Sequence, residues 1–176
     1  MSATAAEHLN FLLGRRSIRA YKPGPIGEET VRSLLEAAMS APSAAAKDPW
    51  RFVLIREREG LVRMANALPN GQMIAEAGIG IVVCGDLEAA HDRQLSYLLQ
   101  DCSAAIENLL LAAHAVGLGA CWLGIHPREQ RLRTIRALLS LPPQVIPVGG
   151  IALGWPDEEK PARSRFNSDF VHHEKW

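Results

Sequence analysis

Val31, Leu34, Leu35 and Ala38 fall at i, i+3, i+4 and i+7, which predicts a helix over 28–39 with one apolar face. Leu9, Leu12 and Leu13 mark a shorter helix over 4–13. Leu132, Ile135, Leu138 and Leu139 mark another over 128–139, with Pro127 where such a helix would start. Residues 57–67 also read as helical, and Pro69-Asn70-Gly71 is a turn followed by a short helical turn. The longest helical pattern covers 91–116 and closes at Gly117 and Gly119. Its stretch IENLLLAAHAV is apolar nearly all round, so it must be covered on most sides, by its own sheet or by a second subunit.

Three other apolar runs have strand composition: WRFVLI (50–55), ACWLGI (120–125) and VIPVGGIALG (145–154). IGIVVCGD (79–86) is a continuous apolar run and reads as a buried central strand. Helices and about four strands mix without a clean βαβ alternation, and the first third is mostly helical. The fold class is therefore α+β, a small central sheet packed by helices. From Pro156 onward the chain is polar and ends FVHHEKW, so 156–176 reads as an extended arm on a single domain spanning 1–176.

Composition changes this picture little. The 176 residues carry 19 basic and 19 acidic side chains, which disfavours a nucleic-acid partner. No apolar run is long enough for a bilayer and the first residues lack a secretory pattern, so no membrane association and a cytoplasmic location are expected. The three cysteines, Cys84, Cys102 and Cys121, have no CxxC spacing and read as reduced, buried thiols. The six histidines have no metal spacing, and no G-x-S-x-G elbow is present. Asp101 and Asn108 lie seven apart on one face of the long helix and suit backbone or partner groups.

Charge is concentrated locally. LLGRRSIRAYKP packs Arg15, Arg16, Arg19 and Lys22 around Ser17. Such a cluster is either a solvated turn or an anion site, since the guanidinium fork matches phosphate oxygens. APSAAAKDPW (41–50) is either a tight helix-to-strand connection or a place where backbone approaches a flat ligand. GLGACWLG (117–124) follows a helix and lacks the dinucleotide spacing, and helix termination accounts for its glycines. EKPARSRF (159–166) puts Arg163 and Arg165 in the arm, as a solvated tail or a second source of forks for one phosphate. Anion-binding loops with few acid–base or nucleophilic candidates suit a protein whose reactive atom belongs to a cofactor.

In this order and spacing, RRSIRAY, APSAAAKDPWRFVLI, QDCSAAIENLLLAAHAVGLGACWLGI, ALGWPDEEKPARSRF and VHHEKW resemble the FMN-dependent nitroreductase family over nearly the whole chain. The resemblance implies an α+β sandwich with a mostly antiparallel sheet, built as an intertwined homodimer with the long helix in its interface. It implies FMN in clefts between subunits, and NADH or NADPH as donor. Hydride would pass through the flavin to a nitroaromatic, a quinone or a similar small acceptor, with no catalytic side chain of the protein's own. By similarity Arg15, Arg16, Ser17 and Arg19 would hold phosphate, ribityl chain and pyrimidine edge. Arg163 or Arg165 would reach the phosphate from the arm, Arg165 being preferred for its spacing to VHHEKW. Pro42, Ser43 and Ala44 would lie against the ring from the other subunit, and Leu123 and Gly124 would bring backbone N–H groups to the ring edge.

Two positions depart from the family pattern. Asn is expected where this chain has Ala46, and Gln where it has Asp48. Ala46 removes a hydrogen bond expected at the flavin pyrimidine, worth about 1 kcal/mol. Asp48 either adds negative charge at the cleft mouth or caps the loop. The alternatives are a flavin-binding sensor or storage protein without rapid turnover, a flavin-remodelling or dehalogenating enzyme on the same fold, and a scaffold without cofactor.

Overall fold

The structure, a computed structural model, describes residues 3–176. In chain order its elements are α1 (Ala3–Gly14), β1 (Tyr21–Lys22), α2 (Glu28–Met39), β2 (Trp50–Ile55), α3 (Arg58–Ala67), β3 (Ile79–Asp86), α4 (Leu95–Ala115), β4 (Gly119–Gly124), α5 (Glu129–Leu139) and β5 (Val145–Pro156). Single 3-10 turns occupy Ala44–Ala46, Gln72–Glu76, His91–Arg93 and Ser168–Phe170.

β5 lies between β3 and β4, β2 pairs with the far side of β3, and these strand pairs are antiparallel; an isolated parallel bridge joins Ser17 to Ala120. β1 joins the end of β5, with Tyr21 opposite Pro156. Successive side chains of a strand point to opposite faces, so the apolar run of β3 must be covered twice. Ile79, Ile81 and Val83 pack with Leu34 of α2 and Leu98, Ile106 and Leu109 of α4. Val82 and Cys84 pack with Leu61 and Met64 of α3 and Ile135 of α5. The product is a sheet sandwiched between two helical layers, the α+β architecture expected from the sequence.

Two expectations need correction. The long helix begins at Leu95, not at 91. Asp92 and Arg93 both adopt left-handed φ, 50° and 52°, which breaks the helical hydrogen-bond ladder. A fifth strand, the two-residue β1, lies within the basic stretch, where charge hid its pairing with β5.

Not all the apolar surface is covered by this chain. Leu9, Leu12 and Leu13 of α1 are exposed, and Leu99, Ala104, Leu111 and Ala112 of α4 are only half-buried. Residues 161–176 are exposed throughout, with Phe166 80% and Phe170 78% accessible. Asp101 and Asn108 bind backbone, as their spacing suggested. Asp101 Oδ1 accepts the Ala44 N–H at 2.9 Å, and Asn108 Nδ2 donates to the Ala37 carbonyl at 3.1 Å.

Candidate functional site

The basic stretch is fixed against the sheet edge by its apolar neighbours. The Ile18 N–H donates to the Ala120 carbonyl of β4 at 3.0 Å. Gly119 permits this approach, because a Cβ there would lie 2.7 Å from Ile18 Cγ2. Gly119 thus does more than end a helix, which is what its place in GLGACWLG suggested. Tyr21, buried at the start of β1, donates its hydroxyl to the Ile18 carbonyl at 2.6 Å, and burial pushes that hydroxyl's pKa up. With Ile18 and Tyr21 anchored inward, Arg15, Arg16 and Arg19 are left at the surface in a set arrangement.

The segment after β5 returns to the same place. The Asp157 N–H donates to the Ala20 carbonyl at 2.9 Å and the Arg163 N–H to the Leu13 carbonyl at 3.3 Å. The Arg16 guanidinium donates to the Pro161 carbonyl. Lys160 Nζ donates to the Ser17 carbonyl at 2.8 Å and to Glu158 at 2.7 Å. Glu158 also accepts the Arg19 N–H at 2.5 Å. The Lys160 hydrogen bond, then that from Arg19, holds the Glu158 carboxyl below its usual range.

The result is a cleft of about 420 Å³ lined by Arg15, Arg16, Ser17, Arg19, Lys160, Arg163 and Arg165, with Leu12 and Leu13 of α1 on one wall. All six predicted residues of the two basic stretches meet in it. Arg15 is paired with Glu107 at 3.0 Å and Lys160 with Glu158. Among the described residues the guanidinium groups of Arg19, Arg163 and Arg165 have no hydrogen-bond or ion-pair partner. Five arginines and a lysine converge against two carboxylates, already engaged, so the donor set fits a phosphate-bearing group.

A smaller cleft of about 200 Å³ adjoins it, and Arg19 borders both. Its walls include Leu123 and Gly124, as well as Asn70, Cys121, Trp122 and Arg131. Arg131 Nη1 donates to the Gly124 carbonyl at 2.6 Å and tethers α5 to the end of β4. Burial raises the Cys121 thiol pKa, which argues against a reactive thiolate beside the arginines. Lys160, Arg131 and Asn70 escaped sequence reasoning. Lys160 sits in EKPARSRF and was legible as a charge. Arg131 is one of several arginines on a polar helix face, and nothing in its local sequence marked it.

Pro42, Ser43, Ala44 and Ala46 do not join this cleft within one chain. They follow α2, whose packing carries them to Asp101, whereas Arg15 meets Glu107. Those two α4 positions are six residues apart and so about 120° apart around the helix. Asp48 caps the loop: the Ser43 hydroxyl donates to its Oδ1 at 2.5 Å, and its N–H donates back to Ser43 Oγ at 3.0 Å.

Comparison with known proteins identifies relatives in both sequence and fold. The Nitroreductase family profile matches residues 12–72 and 63–155. A protein of Archaeoglobus fulgidus, provisionally named NADH dehydrogenase/NAD(P)H nitroreductase, is 43% identical over 173 residues, covering 97% of this chain and 99% of its own. A crystal structure of a protein of the same provisional name from Parabacteroides distasonis superposes with a TM-score of 0.90 at 36% identity, covering 97% and 99% of the two chains. A provisionally named nitroreductase of Desulfovibrio desulfuricans, crystallised with FMN, superposes with a TM-score of 0.82 at 32% identity over 96% of each chain. With the helix-flanked antiparallel sheet and the arginine cleft at its edge, these matches show that the chain belongs to the nitroreductase family.

Proposed function

We propose that this protein is an FMN-dependent oxidoreductase that takes electrons from NADH or NADPH and delivers them to a nitroaromatic, a quinone or a similar small acceptor. The observation that carries this reading is the cleft where five arginines, Lys160 and Ser17 converge, opening through Arg19 onto the end of β4. Bound FMN would supply the atom that accepts and donates hydride. Arg15, Arg16, Ser17 and Arg19, with Arg163 and Arg165 of the arm, would hold its phosphate, ribityl chain and pyrimidine edge. Leu123 and Gly124 would offer backbone to the ring edge. Glu158 and Lys160 would keep the two basic stretches at a set distance. Crowded guanidinium groups repel one another, and an anion removes that repulsion, so the cleft is suited to binding before any chemistry begins.

The working unit in this reading is a homodimer. The exposed leucines of α1, the half-buried side of α4 and the exposed aromatic arm are apolar surface of the kind a second subunit covers. The partner's copy of the 42–46 loop would lie against the flavin. Among the described residues no helix is long and apolar enough to cross a membrane. The three cysteines are buried and unbridged, as thiols in a reducing compartment such as the cytoplasm would be.

The test is an absorbance spectrum of the FMN-reconstituted protein during anaerobic addition of NADH and then NADPH. Flavin bands that bleach within seconds and return when a quinone is added are the expected result. Bands that persist would favour a sensor or storage role, and failure to bind FMN would leave this chain with the family's fold and not its activity.

A further inference from the structure

Asp101 is the buried carboxylate for which the proposed reaction has no use. It is 5% exposed on α4. Its Oδ1 accepts the Ala44 N–H at 2.9 Å, and its Oδ2 is fully buried with no partner among the described residues. A buried carboxylate with a free oxygen is costly, so the single bond it makes has to offset that cost.

The segment it holds is itself strained. Ala45, Ala46 and Asp48 adopt φ of 51°, 52° and 48°. A side chain with a Cβ is disfavoured there, and Ala has no polar atom with which to offset the cost locally. Three such residues within four positions do not persist without outside support. The Asp48–Ser43 pair ties the two ends of the loop to each other but not to the protein body. At the far end Arg51 of β2, paired to Asp86 of β3, donates to the Asp48 carbonyl at 3.3 Å. The Asp101 bond attaches the Ala44 end, and Asn108, two helical turns on, holds the end of α2 through the Ala37 carbonyl and Ser40 Oγ.

We infer that Asp101 is the positioning residue for the Pro42–Ala46 loop, holding it from behind in the left-handed conformation that presents it outward. This rests on the reading that the loop lies against FMN in the assembled protein. Ala46 has no side chain with which to grip a flavin from the front, so in this chain the loop's shape depends on α4. Asp101 acts through the Ala44 N–H and touches no reacting atom.

The inference predicts a pattern of FMN affinities. Each variant would be prepared as apo-protein and titrated with FMN by flavin fluorescence, with its thermal midpoint measured alongside. Asp101→Ala should raise the FMN dissociation constant about tenfold, the scale of one hydrogen bond to a charged group. Asp101→Asn keeps an acceptor oxygen and should stay within about threefold of the parent. Adding Ala45→Gly and Ala46→Gly to Asp101→Ala should recover most of the lost affinity, because glycine takes positive φ freely. A purely structural role would lower the thermal midpoint without that rescue. Parent-like affinity in Asp101→Ala, or a loss that the two glycines leave untouched, would overturn the inference. Should Asp101→Ala not fold, Ala44→Pro removes the same bond from the donor side; Ser43 before it is already extended at φ −135° and ψ 156°, as a residue preceding proline must be. Parent-like affinity in Ala44→Pro would be equally fatal. A parent protein that binds no FMN would instead sink the cofactor reading itself, and the inference with it.

Discussion

The basic cleft and the alanine loop reach their shapes by opposite routes. In the cleft the functional groups are charged, exposed side chains on a backbone anchored by Ile18, Tyr21 and the returning arm. In the loop the side chains are nearly featureless, and the information lies in the backbone: left-handed φ at Ala45, Ala46 and Asp48, held by a buried carboxylate one layer below. The cleft stores electrostatic repulsion that a ligand relieves. The loop stores torsional strain that the protein itself must oppose. One site is therefore tuned by surface charge and ionic strength, and the other by packing.

The sharpest way to separate the two is to remove charge from the cleft. The double variant Arg15→Ala/Arg165→Ala should weaken FMN binding by more than about a hundredfold, given two charge-assisted contacts of about 1.5–3 kcal/mol each. It should also flatten the salt dependence of binding. The apo thermal midpoint should move little, because the Arg15–Glu107 pair is half-exposed and screened by solvent, and Arg165 is exposed. Calorimetric titration at two salt concentrations, with a melting curve, reads all three effects. A large loss of apo stability would mean that the arginines are structural.

A smaller effect probes the loop. Ala46→Asn should lower the FMN dissociation constant by about fivefold and raise the thermal midpoint slightly. Asparagine tolerates left-handed φ better than alanine and adds a polar group facing outward from the turn. A fluorescence titration beside the parent decides it, and unchanged affinity would mean that position 46 does not face the flavin.

The smallest effect concerns the join between the basic stretches. Glu158 has its pKa lowered in the folded state, so its contribution to stability is complete above its usual value of 4.5 and is lost as pH falls through the lowered one. Glu158→Gln removes that acid-linked loss. Melting curves from neutral pH down to about 3 should show the parent and variant converging at the acid end. Parallel curves would mean that the Lys160 and Arg19 hydrogen bonds to Glu158 do not persist in solution.

Periodicity and residue type determined much of this protein before any fold was visible. The helical stripe of α2 follows from which side chains can be removed from water at 3.6-residue spacing, and the central place of β3 follows from its unbroken apolar run. The gathering of Arg15, Arg16 and Arg19 follows from their adjacency. Other features needed the tertiary structure, because they arise between residues far apart in the chain. Lys160 joined the site only when β5 brought the arm back to Ser17. Arg131 joined it only when α5 packed beside the end of β4. The break at Asp92 and the left-handed alanines at 45 and 46 carry no compositional mark, since neither glycine nor proline signals them. They are held by contacts such as Asp101 with Ala44, 57 residues apart, and a local pattern does not encode a contact at that separation.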